Sequence, residues 1–167
     1  MNERKKLSNS IPPDLVDYIY EQGKEDYVRK VYRISKSGII DRFTFLNSYE
    51  ESLHEKRKFR HSLSDIKSFG TSCSLTDDSP RNFLGFLKSK YLKKYPCPCV
   101  IVGHSIGGLS QRTKDREPDY ADENHIDWWI YNEEGIIETI IKDFHIVNYE
   151  VNDMEKLWRW MFILQMF

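Results

Sequence analysis

The amino-acid sequence predicts an α+β fold: a single domain with a mixed, mostly antiparallel sheet and flanking helices. Short runs of β-branched and aromatic residues at positions 31–34, 99–102 and 125–131 read as strands. Residues 14–22 and 79–91 instead repeat their apolar side chains at helical spacing. The first hundred residues also lack the regular strand–helix–strand alternation that builds a parallel sheet. A chain of 167 residues suits one core. The expected organisation is a flexible N-terminus over 1–10 and one globular domain over 11–167.

Each element has a local reason. Pro12-Pro13 lead into a helix in which Leu15, Val16, Ile19 and Tyr20 share a face, with Gly23 as a stop. A first strand is expected around 27–34, where Arg33 faces away from Tyr32 and Ile34 and is costly to bury unless an anion meets it. Ser37-Gly38 turn the chain, and Phe43-Thr44-Phe45 read as a second short strand. Ser48 and Glu51 have capping-box spacing and predict a helix to about Lys58. Residues 66–75 read as a hydroxyl-rich strand whose small side chains admit a ligand or another backbone.

Ser79 as N-cap and Pro80 in the first turn predict a helix with an apolar face of Phe83, Leu84, Phe86, Leu87 and Tyr91, ending before Pro96. Beyond the 99–102 strand, a polar loop over 111–124 leads into the strand at 125–131. Residues 136–141 and 144–151 read as further strands. Asn152-Asp153 cap a final helix whose Leu157, Trp158, Met161, Phe162 and Leu164 would dock on the sheet or on another chain.

Composition narrows function by exclusion. A net charge of −1 with 31% charged residues gives no global field to select nucleic acid or an anionic membrane. The basic, aromatic-bearing runs at 54–61 and 88–94 read as solvated helix faces, with a phosphate track as the alternative. There is no apolar leader and no spanning segment, so no membrane association is expected and the cytoplasm is the expected compartment. Cys73, Cys97 and Cys99 make no disulfide framework, and the C-x-C spacing is poor for a zinc site with His104 and His125. No metal is expected.

Gly103-His104-Ser105-Ile106-Gly107 matches G-x-S-x-G after an apolar strand, the pattern of a small serine hydrolase with Asp127 and His145 following. The context argues against it. An elbow serine needs an apolar helix directly after it, whereas this chain continues polar and meets Pro118. Residues 122–131 are the more site-like stretch, because a strand rich in Trp, Ile and Tyr holds His125 and Asp127 on one side at its mouth. A turn-capping Asp127 and a loop-bonding His125 remain the structural alternative.

The order of these features resembles the ADP-ribosyltransferase fold of the class with an arginine on the first strand, a Ser-Thr-Ser-like second strand and an acid at the mouth of a later one. Val31-Tyr32-Arg33-Ile34, then Phe69-Gly70-Thr71-Ser72-Cys73-Ser74, then His125-Ile126-Asp127 carry the resemblance. It implies NAD as co-substrate, with Arg33 on the dinucleotide, Ser72 or Ser74 on the nicotinamide ribose, Thr71 beside them on the cofactor-binding strand, and Phe69, Tyr32 or Trp128 stacking the nicotinamide. Asp127 would be the catalytic acid, with His125 beside it and Glu123 as a fallback. The family usually carries Glu at the place of Asp127 and Gln or Glu at that of His125. The implied activity is ADP-ribosyl transfer to a protein or nucleic-acid acceptor, as in a toxin or phage-defence effector. A non-catalytic immunity or antitoxin-like partner is the alternative.

Overall fold

The computed structural model describes residues 4–25 and 28–149. In chain order the elements are α1 (Pro13–Gln22), β1 (Lys30–Ser35), a 3-10 turn (Arg42–Phe45), α2 (Ser48–His54), a second 3-10 turn (Ile66–Phe69), β2 (Thr71–Ser74), α3 (Asp78–Lys90), β3 (Cys99–His104), β4 (Gly108–Arg112), α4 (Thr113–Arg116), β5 (His125–Ile130), α5 (Ile136–Asp143) and β6 (His145–Ile146). The six strands form one sheet in the order β4-β5-β2-β1-β3-β6. The α+β expectation holds at this level. The sheet is not mixed, since every strand pairing among the described residues is antiparallel.

Alternation along β5 sends its two tryptophans to opposite faces, and each anchors a core. Trp129 packs with Ile19, Leu15, Ile66, Phe69 and Tyr131. Trp128 packs with Val31, Ile126, Ile140 and Phe144, its ring stacked on that of Phe144. Both indoles are removed from solvent, which is why a strand of this composition makes a rigid platform for the residues before it.

Several expected elements are corrected. Near the N-terminus Leu7 is buried and bridges Tyr131, and Asn132 N donates to the Lys6 carbonyl, while residues 4–6 stay exposed. Residues 136–141 form helix α5 and not a strand. Ile136, Ile137, Ile140 and Ile141 recur at helical spacing against one core, a period hidden by the β-branched run. Asp41 accepts from Phe43 N and Thr44 N, so residues 42–45 close into a 3-10 turn where a strand was expected. Asn47 and Glu50 form the capping box of α2, one residue before the expected pair, and the helix ends at His54. Ser79 does not cap α3; it lies inside the helix and donates to Asp122. Phe83, Phe86 and Tyr91 stay exposed. The polar stretch after residue 107 supplies β4 and α4, neither of which periodicity shows. The strand expected from 144 is only His145–Ile146 within the described residues, and the expected final helix and Tyr27 lie outside them.

The G-x-S-x-G stretch is a link between distant strands, since β3 and β4 lie near opposite ends of the sheet. Ser105 is buried, with its Oγ accepting from Arg29 N at 3.0 Å and its own N–H donating to the Arg29 carbonyl. Its first glycine serves packing and its second a left-handed turn: a Cβ on Gly103 would stand 2.6 Å from Phe144 Cγ, and Gly107 sits at φ 65°. Gly103→Ala is therefore expected to cost about 1–3 kcal/mol through displacement of the Phe144 ring, read as a lower urea midpoint at unchanged m-value.

Candidate active site

The site is built where β1 and β2 part. These strands share one registered pair, Tyr32 with Ser74, against the six pairs that join β1 to β3. Arg33 fills the opening. Its Nε donates to the Thr44 carbonyl at 2.7 Å, Nη2 to that of Leu46 at 3.3 Å and Nη1 to that of Ser72, while Glu51 lies 3.9 Å away. A guanidinium buried this far is tolerated because three carbonyls from two segments meet its fork of donors. The acceptors that the sequence left to an anion are thus largely the chain's own backbone.

Register sorts the other candidates by face. Tyr32 pairs with Ser74, Ser74 with His125 and Ser72 with Asp127, so all five share one face of the sheet. Thr71 and Cys73 turn to the other face. Thr71 is buried and donates to the Phe45 carbonyl at 3.0 Å. Burial pushes the Cys73 thiol up to about 11. Phe69 packs in the core with Trp129 and Tyr49, and lines neither of the cavities that Ser72 lines. Glu123 stands exposed and pairs with Lys114, whose hydrogen bond holds its carboxyl below the usual range. Thr71, Phe69 and Glu123 are therefore not gathered with the rest.

What the structure does gather is a hydrogen-bonded chain running inward from the surface. Ser72 Oγ lies 2.7 Å from His125 Nε2, His125 Nδ1 lies 2.6 Å from Thr113 Oγ1, and Thr113 Oγ1 donates to Asp127 Oδ2 at 2.9 Å. Counting protons orders it. Thr113 spends its only hydrogen on Asp127, so it accepts from Nδ1–H, which leaves Nε2 to accept from the Ser72 hydroxyl. Burial lowers the His125 pKa, against the opposing pull of Asp127 and Asp122 and with the help of Arg116 and Arg33; the imidazole is thereby kept neutral. Asp127 is 1% exposed and takes a second donor, Arg116 Nη2, at 2.8 Å. Gly70 makes room for it, since a Cβ there would stand 3.1 Å from Asp127 Cβ.

Two cavities meet at this chain. One of about 410 Å³ is lined by Tyr32, Arg33, Lys36, Arg57, Phe83 and Asp122, and one of about 270 Å³ by Ser48, Lys67, Ser68, Tyr120 and Asp127. Ser72 and His125 line both. Thr113 and Arg116 were missed in the sequence because they sit in a polar stretch with no periodic signal. Among the described residues no group of three or more His, Cys, Asp or Glu side chains is placed to hold a metal ion, and no helix is long and apolar enough to cross a membrane. Comparisons with protein-family models, with curated proteins and with solved structures each found no match.

Two outcomes follow from this geometry. Arg33→Lys replaces a planar fork by a point donor and leaves buried carbonyls unmet, so stability should fall by about 2–3 kcal/mol in urea titration. The unfolded chain protonates His125 before the folded one does, because the folded pKa is depressed. Stability should therefore fall as pH drops through about 6.5 and level off below the folded pKa. Melting temperature against pH should show this slope, reduced in His125→Gln.

Proposed function

We propose that the chain binds NAD across the two joined cavities and transfers its ADP-ribosyl group to a macromolecular acceptor. One observation carries the reading: Ser72 and His125 line both a cavity bordered by Arg33, Lys36 and Arg57, with Glu51 and Asp122 among them, and a cavity bordered by Asp127 and Lys67. A dinucleotide is a ligand of two parts joined by a diphosphate, and this arrangement has a place for each. Lys36 and Arg57 border the larger cavity, where they would meet the diphosphate by exchanging their ion pairs with Glu51 and Glu55 for it, while Tyr32 and Phe83 offer ring faces to a base. Arg33 would contribute through the edge of a guanidinium already engaged with carbonyls.

The chemistry at the junction suits loss of nicotinamide. Breaking the ribosyl C1′–N bond releases neutral nicotinamide with the bonding pair and leaves positive charge on the ribose. Asp127, paired with Arg116, places a carboxylate at the smaller cavity, and His125 Nε2, unprotonated, can take the proton of a hydroxyl at the junction. Asp127 is one methylene shorter than the glutamate of the resembled family, and its Oδ2 is held by Thr113 and Arg116. It therefore acts from the wall of the cavity.

A second reading rests on a separate observation. The rings of Phe83, Phe86 and Tyr91 are exposed on α3 and in mutual contact, as on a protein-docking face.

The deciding experiment incubates the purified chain with labelled NAD and cell extract, following nicotinamide release and label transfer, with nuclease and protease digestion to name the acceptor. Asp127→Asn should reduce release by about 10²–10³-fold while still folding, and Arg57→Ala should weaken NAD binding about tenfold. If NAD neither raises the melting temperature nor loses nicotinamide, the transferase reading is gone and the docking protein stands.

A further inference from the structure

We propose that Ser72 is a nucleophile, activated by His125 through the chain that ends on Asp127, and that it takes the ribosyl carbon as a covalent intermediate. The reaction class rests on the NAD reading above; the activation of Ser72 does not. Three features set this hydroxyl apart from the other exposed serines. Its Oγ is 2.7 Å from an imidazole nitrogen whose other nitrogen is committed as a donor. The relay behind it is anchored in the buried interior, with Thr113 and Asp127 at 0% and 1% exposure. It also lies on a strand, so its position is set by the β5 ladder and by Arg33 on its own carbonyl. By contrast Ser62 and Ser64 bond each other, Ser89 Oγ donates to the Phe86 carbonyl, and Ser79 donates to the carboxylate of Asp122. None of those faces an imidazole.

The step balances without a further reactant. Ser72 Oγ passes its proton to His125 Nε2 as the Oγ–C1′ bond forms and the C1′–N bond breaks, nicotinamide leaving neutral. The new imidazolium charge is stabilised by Thr113 Oγ1 and, 3.9 Å from Nδ1, by Asp127 Oδ1. Water or an acceptor hydroxyl then attacks C1′ and loses its proton to solvent. His125 returns its proton to Ser72 as the Oγ–C1′ bond breaks. Two displacements at one carbon retain its configuration, as in retaining glycosidases.

The test uses phenylmethylsulfonyl fluoride on the full chain, with peptide mapping of labelled serines, and NAD methanolysis with assignment of the product anomer. Ser72 should be sulfonylated at least about 10²-fold faster than Ser62, Ser64 or Ser89. Labelling should fall by a similar factor in His125→Gln and about tenfold in Thr113→Val, and it should recover in Thr113→Ser, which keeps the hydroxyl. Methanolysis should give the β-anomer. Labelling of Ser72 no faster than that of the other three overturns the proposal. Nicotinamide release with inverted, α-methyl product also overturns it, while leaving the transferase reading intact. Selective labelling with no nicotinamide release supports the nucleophile and removes the NAD reading instead.

Discussion

The contact on which this structure depends is the guanidinium of Arg33 in the gap between β1 and β2. A sheet whose central strands share one registered pair leaves backbone polar groups facing each other across a widening space. Water could fill that space, but then β2 would be held mainly by β5 and the two halves of the sheet could shift. Arg33 instead ties Thr44, Leu46 and Ser72 to β1. The nearest carboxylate, Glu51 at 3.9 Å, is farther from it than any of the three carbonyls, so hydrogen bonding and not ion pairing sets its place. The fixed position of Ser72 opposite His125 follows, and with it the junction of the two cavities.

A second constraint is the cost of burying Asp127. A carboxylate at 1% exposure must find donors, and those come from α4, a single turn in a polar segment that contacts β5. Thr113 and Arg116 lie three residues apart and so point the same way from the turn. Arg116 is itself largely buried and gains Glu117 as a further partner. The polarity of residues 111–124, which suggested a solvated loop, is in part the donor supply of a buried acid.

This explains how much of the molecule was legible. Strands β3 and β5 and helix α1 follow from their apolar patterns, because their partners are large apolar surfaces that any suitable side chain can meet; α3 follows too, although of its predicted face only Leu84 and Leu87 are buried. Arg33, Ser72, His125 and Asp127 were legible as unusual residues in strands. Their partners were not: backbone carbonyls carry no sequence identity, and Thr113 is an ordinary polar residue until the fold sets it between an imidazole and a carboxylate. The Ile-rich stretch at 136–141 misled for another reason. Its β-branched residues favour strand locally, and the helix is stabilised by burial of Ile140 and its neighbours against Phe144 and Phe45. Capping of α2 slipped by one because Asn47-Ser48 and Glu50-Glu51 satisfy the same rule in two registers.

The alternation of β2 decides which of its side chains can react. Cys73 carries the intrinsically better nucleophile, yet it faces the core, where burial outweighs the neighbouring Arg33 and holds its thiol protonated, up at about 11. Ser72, one residue earlier, carries the poorer nucleophile but faces His125 and the junction of the cavities. A hydroxyl far less acidic than a thiol becomes the more reactive group when it alone is given a base, an exit for its proton and room for an electrophile. Exchanging the two residues would place the thiol against His125 and the hydroxyl in the core. The pleat of a four-residue strand, held by β5 and Arg33, thus assigns the chemistry that the side chains alone would have assigned the other way.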